Sequence, residues 1–311
     1  MRINAFCCGL VLCAMSPVPA IAAQCVLQLE ISNVEWRGGT RGGYDVFESS
    51  EYPQTVHFKV LSSGDPCPFF VTFSSGLQGD GNRRATAASG TLEYEIYDSV
   101  DSRTILKELP AASSNEVLSG AFAQGQSVQE LSYAIVVPPL QVRPAGLYTD
   151  SFQVTLYQGT PDDFIQHDAR TVTLTIPVEN VTELSLVGYG ASFDPHAKTR
   201  DLDFGKLSPG KRMGFDLRVR SNLGYRITLE SENAGVMRHL DPSVTTTVPY
   251  SLELGGTPVN LTGDQPVELS RGSALTGSEG EPHDFDITIG EMAGAGAGTY
   301  RDTIAVTVIA E

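Results

Sequence analysis

The sequence lacks the residue patterns that usually carry catalysis or hold metal ions. Its 311 residues include only five histidines, which are scattered without metal-ligand spacing. Neither an HExxH nor a GxSxG motif occurs. Gly294, Gly296 and Gly298 precede a strand-like run and not a helix, so they do not make a dinucleotide-binding loop. We therefore predict no enzyme, no cofactor and no metal; a ligand carrier would need a pocket with converging polar groups.

Basic residues and long apolar runs are also scarce. The 21 Lys and Arg face 37 Asp and Glu, for a net charge of −16, and an acidic surface repels phosphate backbones, so nucleic acid is a poor partner. The one long apolar run, residues 5–15, follows Arg2 and precedes small residues at Ala20, Ala22 and Ala23. This arrangement predicts a secretory signal peptide over residues 1–23 and no membrane anchor.

Cysteine is rare once the signal peptide is removed. Five cysteines become two, Cys25 and Cys67. In an oxidising compartment this pair predicts one disulfide, which ties the first strand to the strand that begins near residue 68.

Helical periodicity is absent, and most of the chain alternates apolar and polar residues in short runs. Gly, Pro, Ser and Asn separate these runs at intervals of roughly ten residues, which is typical of an all-β sandwich. The predicted strands cover residues 26–34, 55–61, 69–73, 91–97, 132–137, 152–157, 171–178, 183–187, 202–204, 214–219, 225–229, 248–254, 285–289 and 303–309.

One stretch occurs twice. Residues 144–157 read PAGLYTDSFQVTLY and residues 296–309 read GAGTYRDTIAVTVI, which indicates an internal duplication. We predict two domains, residues 24–180 and 181–311, with a boundary close to Asn180. The first copy is followed by another strand-like run, residues 170–178, whereas none follows the second.

Several motifs point to a known family. The phrases LDFGKLSPG at 202–210, FDLRVRSNLGYRITLESENAG at 215–235 and AGTYRDTIAVTV at 297–308 resemble the spore coat protein U domain family. The first half resembles it more weakly, through CPFFVTFSSG, LEYEIYD and AGLYTDSFQVTL. Domains of this family are similar to the pilin subunits of archaic chaperone–usher pili. Ser221 stands where such domains often carry a cysteine.

The resemblance implies two immunoglobulin-like, pilin-like sandwiches, the second without its final strand. In fimbrial subunits a chaperone and then the next subunit supply such a strand. We expect the supplied strand to pair with an edge formed by Tyr300, Ile304, Val306 and Val308. In the first domain we expect a self-completing strand, with Val172, Leu174 and Ile176 on its inner face.

The second domain is expected to accept a strand, whereas the disulfide holds the N-terminal strand so that it cannot be donated. A subunit that accepts a strand but donates none is the last subunit of a polymer. The prediction is therefore a pilus tip adhesin that supports attachment and biofilm formation and reaches the cell surface through the periplasm. Its expected partners are a periplasmic chaperone, an outer-membrane usher and the adjacent pilin. The alternative is a secreted coat or matrix protein of the spore coat U type without receptor binding.

The attachment surface is the least specified feature. Three polar, glycine-rich stretches are expected as loops, namely residues 37–51, 110–126 and 158–168. Their isolated apolar side chains are candidates for surface contact: Tyr44, Phe47, Leu118, Phe122, Phe164 and Ile165. The competing interpretation is that the aromatic ones fold back and anchor their loops. The single tryptophan, Trp36, is expected in the core. The sequence does not identify a receptor.

Overall fold

The chain is built entirely from β-strands over the part that the structure describes. The computed structural model describes residues 24–39, 42–79, 81–263, 265–272 and 275–311. The predicted signal peptide, residues 1–23, lies outside them. Within these ranges there is no helix, and hence none long and apolar enough to span a bilayer. The prediction of an all-β fold is confirmed.

The N-terminal half, residues 24–181, contains two sheets that face each other. The first has the order β1-β3-β9-β7 and the second β2-β11-β10-β4-β8, with β5 and β6 attached to β10. The strands are β1 (Val26–Glu30), β2 (Val34–Glu35), β3 (Gln54–Ser63), β4 (Pro68–Phe73), β5 (Arg84–Ala87), β6 (Gly90–Glu93), β7 (Glu95–Tyr97), β8 (Leu118–Ala121), β9 (Val128–Val136), β10 (Gly146–Thr160) and β11 (Asp163–Val178).

Alternation along these strands creates one continuous core between the two sheets. Trp36, Phe73 and Tyr133 are among its largest fully buried side chains, as expected for Trp36. The predicted disulfide between Cys25 and Cys67 is present, with the two Cα atoms 6.2 Å apart. It joins the residue before β1 to the residue before β4, and so ties the two sheets together.

The C-terminal half, residues 182–311, also contains two sheets, with a separate core. Their orders are β12-β13-β19-β16-β15-β20, with β17 attached to β16, and β18-β14-β21. The strands are β12 (Thr182–Val187), β13 (Arg212–Ser221), β14 (Tyr225–Ser231), β15 (Val236–His239), β16 (Thr247–Leu254), β17 (Thr257–Val259), β18 (Val267–Gly272), β19 (Glu281–Ile289), β20 (Tyr300–Arg301) and β21 (Ile304–Ala310).

Three strand predictions are wrong in detail. Residues 26–34 do not form one strand, because β1 ends at Glu30 and pairs with β3, whereas β2 pairs with β11 in the other sheet. Residues 91–97 do not form one strand, because the chain changes sheets at Tyr94: β6 pairs with β5, whereas β7 pairs with β9. Residues 202–204 are not in a strand, because no strand in the described ranges pairs with them.

A junction of hydrogen bonds joins the two halves. The Asn222 side chain donates from Nδ2 to the carbonyl oxygens of Arg143 and Glu179, at 3.2 and 2.7 Å, and accepts from the N–H of Val181 at 2.9 Å. The guanidinium of Arg220 lies over the ring of Phe47, 5.1 Å from its centroid. Buried polar contacts of this kind restrict the angle between the halves.

Candidate functional site: an open groove in the C-terminal half

The two halves make matching side-chain contacts at the positions that the repeated stretch aligns. Tyr148 donates its hydroxyl to the carbonyl of Pro144 at 3.0 Å, and Tyr300 donates to the carbonyl of Gly296 at 3.1 Å. Both bonds span four residues backwards, as in the tyrosine corner of sandwich folds.

A buried tyrosine–aspartate bond is repeated in the same way. Tyr94 donates to Asp150 at 2.8 Å, and Tyr250 donates to Asp302 at 2.5 Å. The two repeats therefore superpose Tyr148 on Tyr300 and Asp150 on Asp302. By this register β10 of the N-terminal half corresponds to β21, with β20, in the C-terminal half.

The equivalent strands have different neighbours. In the N-terminal half the order β8-β4-β10 continues to β11, which pairs with β10 from Gly146↔Val178 to Thr160↔Asp163. In the C-terminal half the corresponding order β18-β14-β21 stops at β21. No strand among the described residues pairs with the outer edge of β21.

Exposure of the repeated positions shows the consequence. The inward side chains of β10, namely Tyr148, Phe152, Val154 and Leu156, are at most 1% exposed. Their counterparts Tyr300, Ile304, Val306 and Val308 are only partly buried, although they pack against the core. The C-terminal core is thus open where β11 closes the N-terminal one.

This opening is a groove of about 930 Å³ between the two sheets. Its walls are β12, residues 198–204 and the stretch from Tyr300 to Val308. The floor is apolar and includes Leu184, Leu186, Phe215, Leu229, Phe285 and Ile287. A long apolar groove beside an unpaired strand edge suits an extended peptide. The backbone of the peptide can pair with the edge, and its alternate side chains can enter the groove.

The walls carry few charged contacts. At the rim, Lys198 donates from Nζ to the carbonyl of Leu184 at 2.6 Å, and Arg220 is paired with Glu183 at 2.7 Å. No group of three His, Cys, Asp or Glu side chains suited to a metal ion occurs in the part of the chain that the structure describes. The groove thus combines an apolar floor and the unpaired backbone edge of β21 with charged side chains in its walls, among them Arg200, Asp201 and Arg301.

The corresponding edges of the N-terminal half are closed. The outer edge of β11 pairs in parallel with β2, at Leu174↔Val34. On the opposite sheet, the N–H groups of Leu27 and Leu29 in β1 donate to His167 Nδ1 and Asp168 Oδ2, at 3.4 and 2.9 Å. Side chains of β11 thereby cover backbone donors that an edge strand would otherwise expose.

The structure gathers the residues expected to receive or supply a strand. Tyr300, Ile304, Val306 and Val308 all line the groove. Val172, Leu174 and Ile176 lie side by side on the inner face of β11 and are at most 1% exposed.

Half of the candidates for surface contact are in the core. Tyr44, Phe47 and Phe122 are 3%, 5% and 3% exposed, so they anchor their loops and are not contact residues. Tyr44 donates to the carbonyl of Pro138 at 2.7 Å, and Phe122 stacks near Phe69 with ring centroids 5.2 Å apart. Their aromatic rings are large enough to reach the core from a loop. The sequence alone did not distinguish such anchoring side chains from surface contacts.

The remaining candidates differ among themselves. Leu118 lies partly buried on β8. Phe164 and Ile165 are 43% and 66% exposed, near the turn of the long β10–β11 hairpin. Residues 158–168 were expected as a loop, but they extend this hairpin, because β10 and β11 pair as far as Thr160↔Asp163.

Sequence reasoning missed the wall of the groove opposite β21. Asp201, Leu202 and Phe204 belong to it, whereas the sequence alone indicates a short strand and a family signature in this stretch. The side chains of β12, Leu184 and Leu186, were recognisable as a strand but not as a wall, since their position depends on pairing with β13.

Comparison with known proteins gives one family match. Residues 19–155 match the family model described as Spore Coat Protein U domain. This part of the chain is therefore similar to that family. The matched range lies in the half where the sequence motifs of this domain were weaker. No curated protein matches the chain.

Several of the solved structures to which the chain is similar are subunits of bacterial pili. The chain is similar to the tip adhesion subunit complex with its chaperone, CsuC–CsuE, from the archaic chaperone–usher Csu pili of Acinetobacter baumannii, at 12% identity over 91% of this chain and 99% of that one, with a TM-score of 0.42. It is similar to the CupB6 tip adhesin of Pseudomonas aeruginosa, at 9% identity over 92% and 95%, with a TM-score of 0.39.

A third similar structure is CfaE, the adhesive subunit of CFA/I fimbria of enterotoxigenic Escherichia coli. The identity is 11% over 91% of this chain and 81% of that one, with a TM-score of 0.32. Identities this low leave the function to be argued from the groove itself.

Proposed function

We propose that this protein is a structural subunit of a chaperone–usher pilus and that its C-terminal groove accepts a strand from the adjacent subunit. One observation carries the proposal: the same sandwich occurs twice in the chain, closed by β11 in one copy and open beside β21 in the other. The two halves are then two domains that meet near Asn180.

The energetics favour an occupant. Three alternate apolar side chains of a donor strand, each worth roughly 1.5–3 kcal/mol when fully buried, amount to about 5–9 kcal/mol before ordering costs. A whole domain is stable by only about 5–15 kcal/mol. The C-terminal half is therefore expected to depend on its occupant, first a periplasmic chaperone and then the next pilin, delivered through an outer-membrane usher.

Position at the pilus tip follows from the N-terminal half. Its second sheet already contains β11, so it offers no groove. Its first strand, β1, is paired with β3 along its whole length and is preceded by the disulfide-bonded Cys25. Such a strand is not free to enter another subunit. A subunit that accepts a strand and donates none ends the fibre, on the cell surface.

Attachment is assigned to the end of the N-terminal half that lies farthest from the junction. β10 is 15 residues long, so the hairpin turn lies about 50 Å along the strand from the junction. Phe164 and Ile165 are exposed there, and Val26 is 55% exposed on the neighbouring β1. Exposed apolar side chains at a free end suit attachment and biofilm formation.

A second candidate is favoured by the family match itself. A secreted coat or matrix protein would use the same groove to join identical or related chains, without binding a receptor. Genes for a chaperone and an usher beside this one would favour the pilus.

The test uses the full mature chain, from residue 24, with and without a synthetic peptide of residues 170–179, the chain's own β11 sequence. We expect the peptide to raise the melting temperature of the C-terminal half by roughly 20 °C, since about 5 kcal/mol moves a domain of this size by several degrees per kcal/mol. Val306→Asp should abolish the shift, because a carboxylate would be buried unpaired.

The matched control is Thr307→Asp, on the opposite, exposed face of β21. It should keep the peptide-dependent shift. A chain that is monomeric and melts at one temperature with and without the peptide would show that the groove does not accept strands.

A further inference from the structure

We propose that Asp302 is a positioning residue that keeps the empty groove open, because its carboxylate ties the two sheets of the C-terminal half together at the start of β21. The inference rests on the proposed strand-accepting function and adds a residue that acts before the strand arrives. In this role Asp302 acts through β21 and Tyr250, and not through contact with the incoming strand.

An empty apolar groove needs such a support. Side chains from both sheets form its floor, among them Leu229 of β14 and Phe285 of β19. Closing the groove would bury this apolar surface, which the hydrophobic effect favours. A closed groove must reopen before a strand can enter, so the two sheets have to be held apart while the groove is empty.

Asp302 lies where the chain passes from one sheet to the other. β20 ends at Arg301 in the sheet of β16, and β21 begins at Ile304 in the sheet of β14. The half-buried side chain of Asp302 lines the groove together with Tyr300 and Ile304. It is therefore within reach of both sheets.

The Asp302 carboxylate accepts five hydrogen bonds, which come from both sheets. Oδ2 accepts from the hydroxyl of Tyr250 in β16 at 2.5 Å and from the hydroxyl of Ser231 in β14 at 2.7 Å. Oδ1 accepts from the backbone N–H and the side-chain Nδ2 of Asn233, at 3.1 and 2.9 Å, and from the N–H of Thr303 at 2.8 Å. One carboxylate thus joins β16 of one sheet to the end of β14 and the start of β21 in the other.

The N-terminal half contains a simpler version of this contact. Asp150, the counterpart of Asp302, accepts from the hydroxyl of Tyr94 at 2.8 Å, from the N–H of Leu77 at 3.1 Å and from the N–H of Ser151 at 2.8 Å. All three bonds recur at Asp302: a tyrosine hydroxyl, an N–H from the turn after β4 or β14, and the N–H of the following residue.

Two bonds are added in the C-terminal half. Within the described ranges, the hydroxyl of Ser231 and the side chain of Asn233 have no equivalent among the donors to Asp150. In the N-terminal half the inner side chains of β11 fill the space between the sheets. The additional bonds occur in the half that has no such strand in the described part of the chain, where Asp302 has to supply the support.

The two oxygens of Asp302 meet different kinds of donor. Oδ1 meets only N–H groups, whereas Oδ2 meets only hydroxyls, which can also accept hydrogen bonds. An asparagine can therefore take this place, with its oxygen facing the N–H groups and its Nδ2 donating to the two hydroxyls. Burial raises the pKa of Tyr250, so its hydroxyl remains protonated at neutral pH.

Removal of single hydroxyls tests the role, because the aromatic rings stay in place. Tyr250→Phe breaks the bond between the sheets beside the groove, and Tyr94→Phe breaks the repeated bond where β11 closes the core. The probe is a fluorescently labelled peptide of residues 170–179, and its association with and dissociation from the full mature chain are followed by stopped flow.

We expect Tyr250→Phe to slow association of the peptide about tenfold, because a smaller fraction of the free chains has an open groove. Dissociation should change by at most about twofold, since the bound peptide itself holds the sheets apart. Tyr94→Phe should leave both rates within about twofold of those of the unmodified chain.

Substitution of the aspartate gives the matching pair. Asp302→Ala removes all five bonds and should slow association at least as much as Tyr250→Phe, whereas Asp302→Asn should stay within about threefold of the unmodified chain. Asp150→Ala is the control in the N-terminal half, and it should lower the melting temperature without changing the association rate. If Asp302→Ala does not fold, Tyr250→Phe decides alone.

The outcomes separate this role from strand acceptance. A Tyr250→Phe chain that melts earlier but associates at the unmodified rate would show that Asp302 is only structural, and strand acceptance would stand. Faster dissociation with unchanged association would also overturn the positioning role, because the contact would then act on the bound strand. An unmodified chain that binds no peptide would overturn strand acceptance and, with it, the role of Asp302.

Discussion

Tyr44 illustrates how single residues in this protein depend on burial. It lies in a polar, glycine-rich stretch, yet its side chain is buried, donates to Pro138 and accepts from the N–H of Gln141 at 2.8 Å. Burial raises the pKa of Tyr44 to about 12. Burial also raises the pKa of four other tyrosines, namely Tyr94, Tyr133, Tyr225 and Tyr250.

The sign of this shift predicts loss of stability in alkali. A tyrosine whose folded pKa lies above its unfolded value of about 10 contributes fully below pH 10, and the contribution is lost as the pH rises towards 12. Tyr44→Phe should lower the free energy of unfolding at pH 7 by about 1 kcal/mol. It should also make the decline between pH 10 and 12 shallower by up to about 2 kcal/mol. Urea titrations at pH 7, 10 and 11.5 measure both; parallel declines in the two proteins would contradict the assignment.

At the scale of elements, the contrast between β10 and β21 decides the behaviour of the two halves. The two strands share a sequence pattern and a tyrosine corner, but among the residues that the structure describes only β10 pairs with a strand on its outer side. Their inward side chains therefore contribute differently to stability, although the sequence presents them as equivalent.

Paired substitutions measure this difference. Phe152→Ala removes a ring that is 1% exposed and should cost about 3–5 kcal/mol. Ile304→Ala, at the repeated position, should cost less than half of the roughly 2–5 kcal/mol expected for a buried isoleucine. Bound peptide should restore the full cost at Ile304 without changing that at Phe152. Equal costs in the free chain, from denaturant titrations, would mean that the groove is closed in solution.

Prediction of elements from the sequence succeeded where a strand alternates strongly. The runs at 55–61 and 225–229 are β3 and β14, extended by a few residues. It failed at 202–204, because a strand needs a backbone partner and the alternation of side chains does not show whether one is present. It also missed the strands β5, β8, β15, β17, β18 and β20, which are only two to six residues long and too short to show a clear alternation.

At the scale of the whole molecule, the two halves are joined at a hydrogen-bonded junction and differ in what they expose. Asn222 and Arg220 hold the halves together at the junction. The C-terminal half bears the groove, and the N-terminal half carries the exposed hairpin turn at its far end. A fibre attached through the groove would present that turn to a surface.

Attachment should therefore depend on the hairpin turn. Ile165→Asp places a charge at a 66% exposed position and should leave folding unchanged, while reducing adhesion to a hydrophobic surface several-fold. The control is Leu77→Asp, which alters a side chain that is 73% exposed elsewhere on the same half. Adhesion of immobilised protein to polystyrene beads measures both. Equal loss in the two variants would assign adhesion to general surface charge.

The sequence by itself determined the all-β class, the duplication, the single disulfide and the strand residues that face inwards, because alternation and residue counts are local properties. Tertiary structure alone decided which aromatic side chains are core and which lie at the surface. It also decided that β21 has an open outer edge and that Asp201 and Phe204 lie across from it. These features depend on pairing and packing between residues far apart in the chain, and no local pattern records which edge lacks a neighbour.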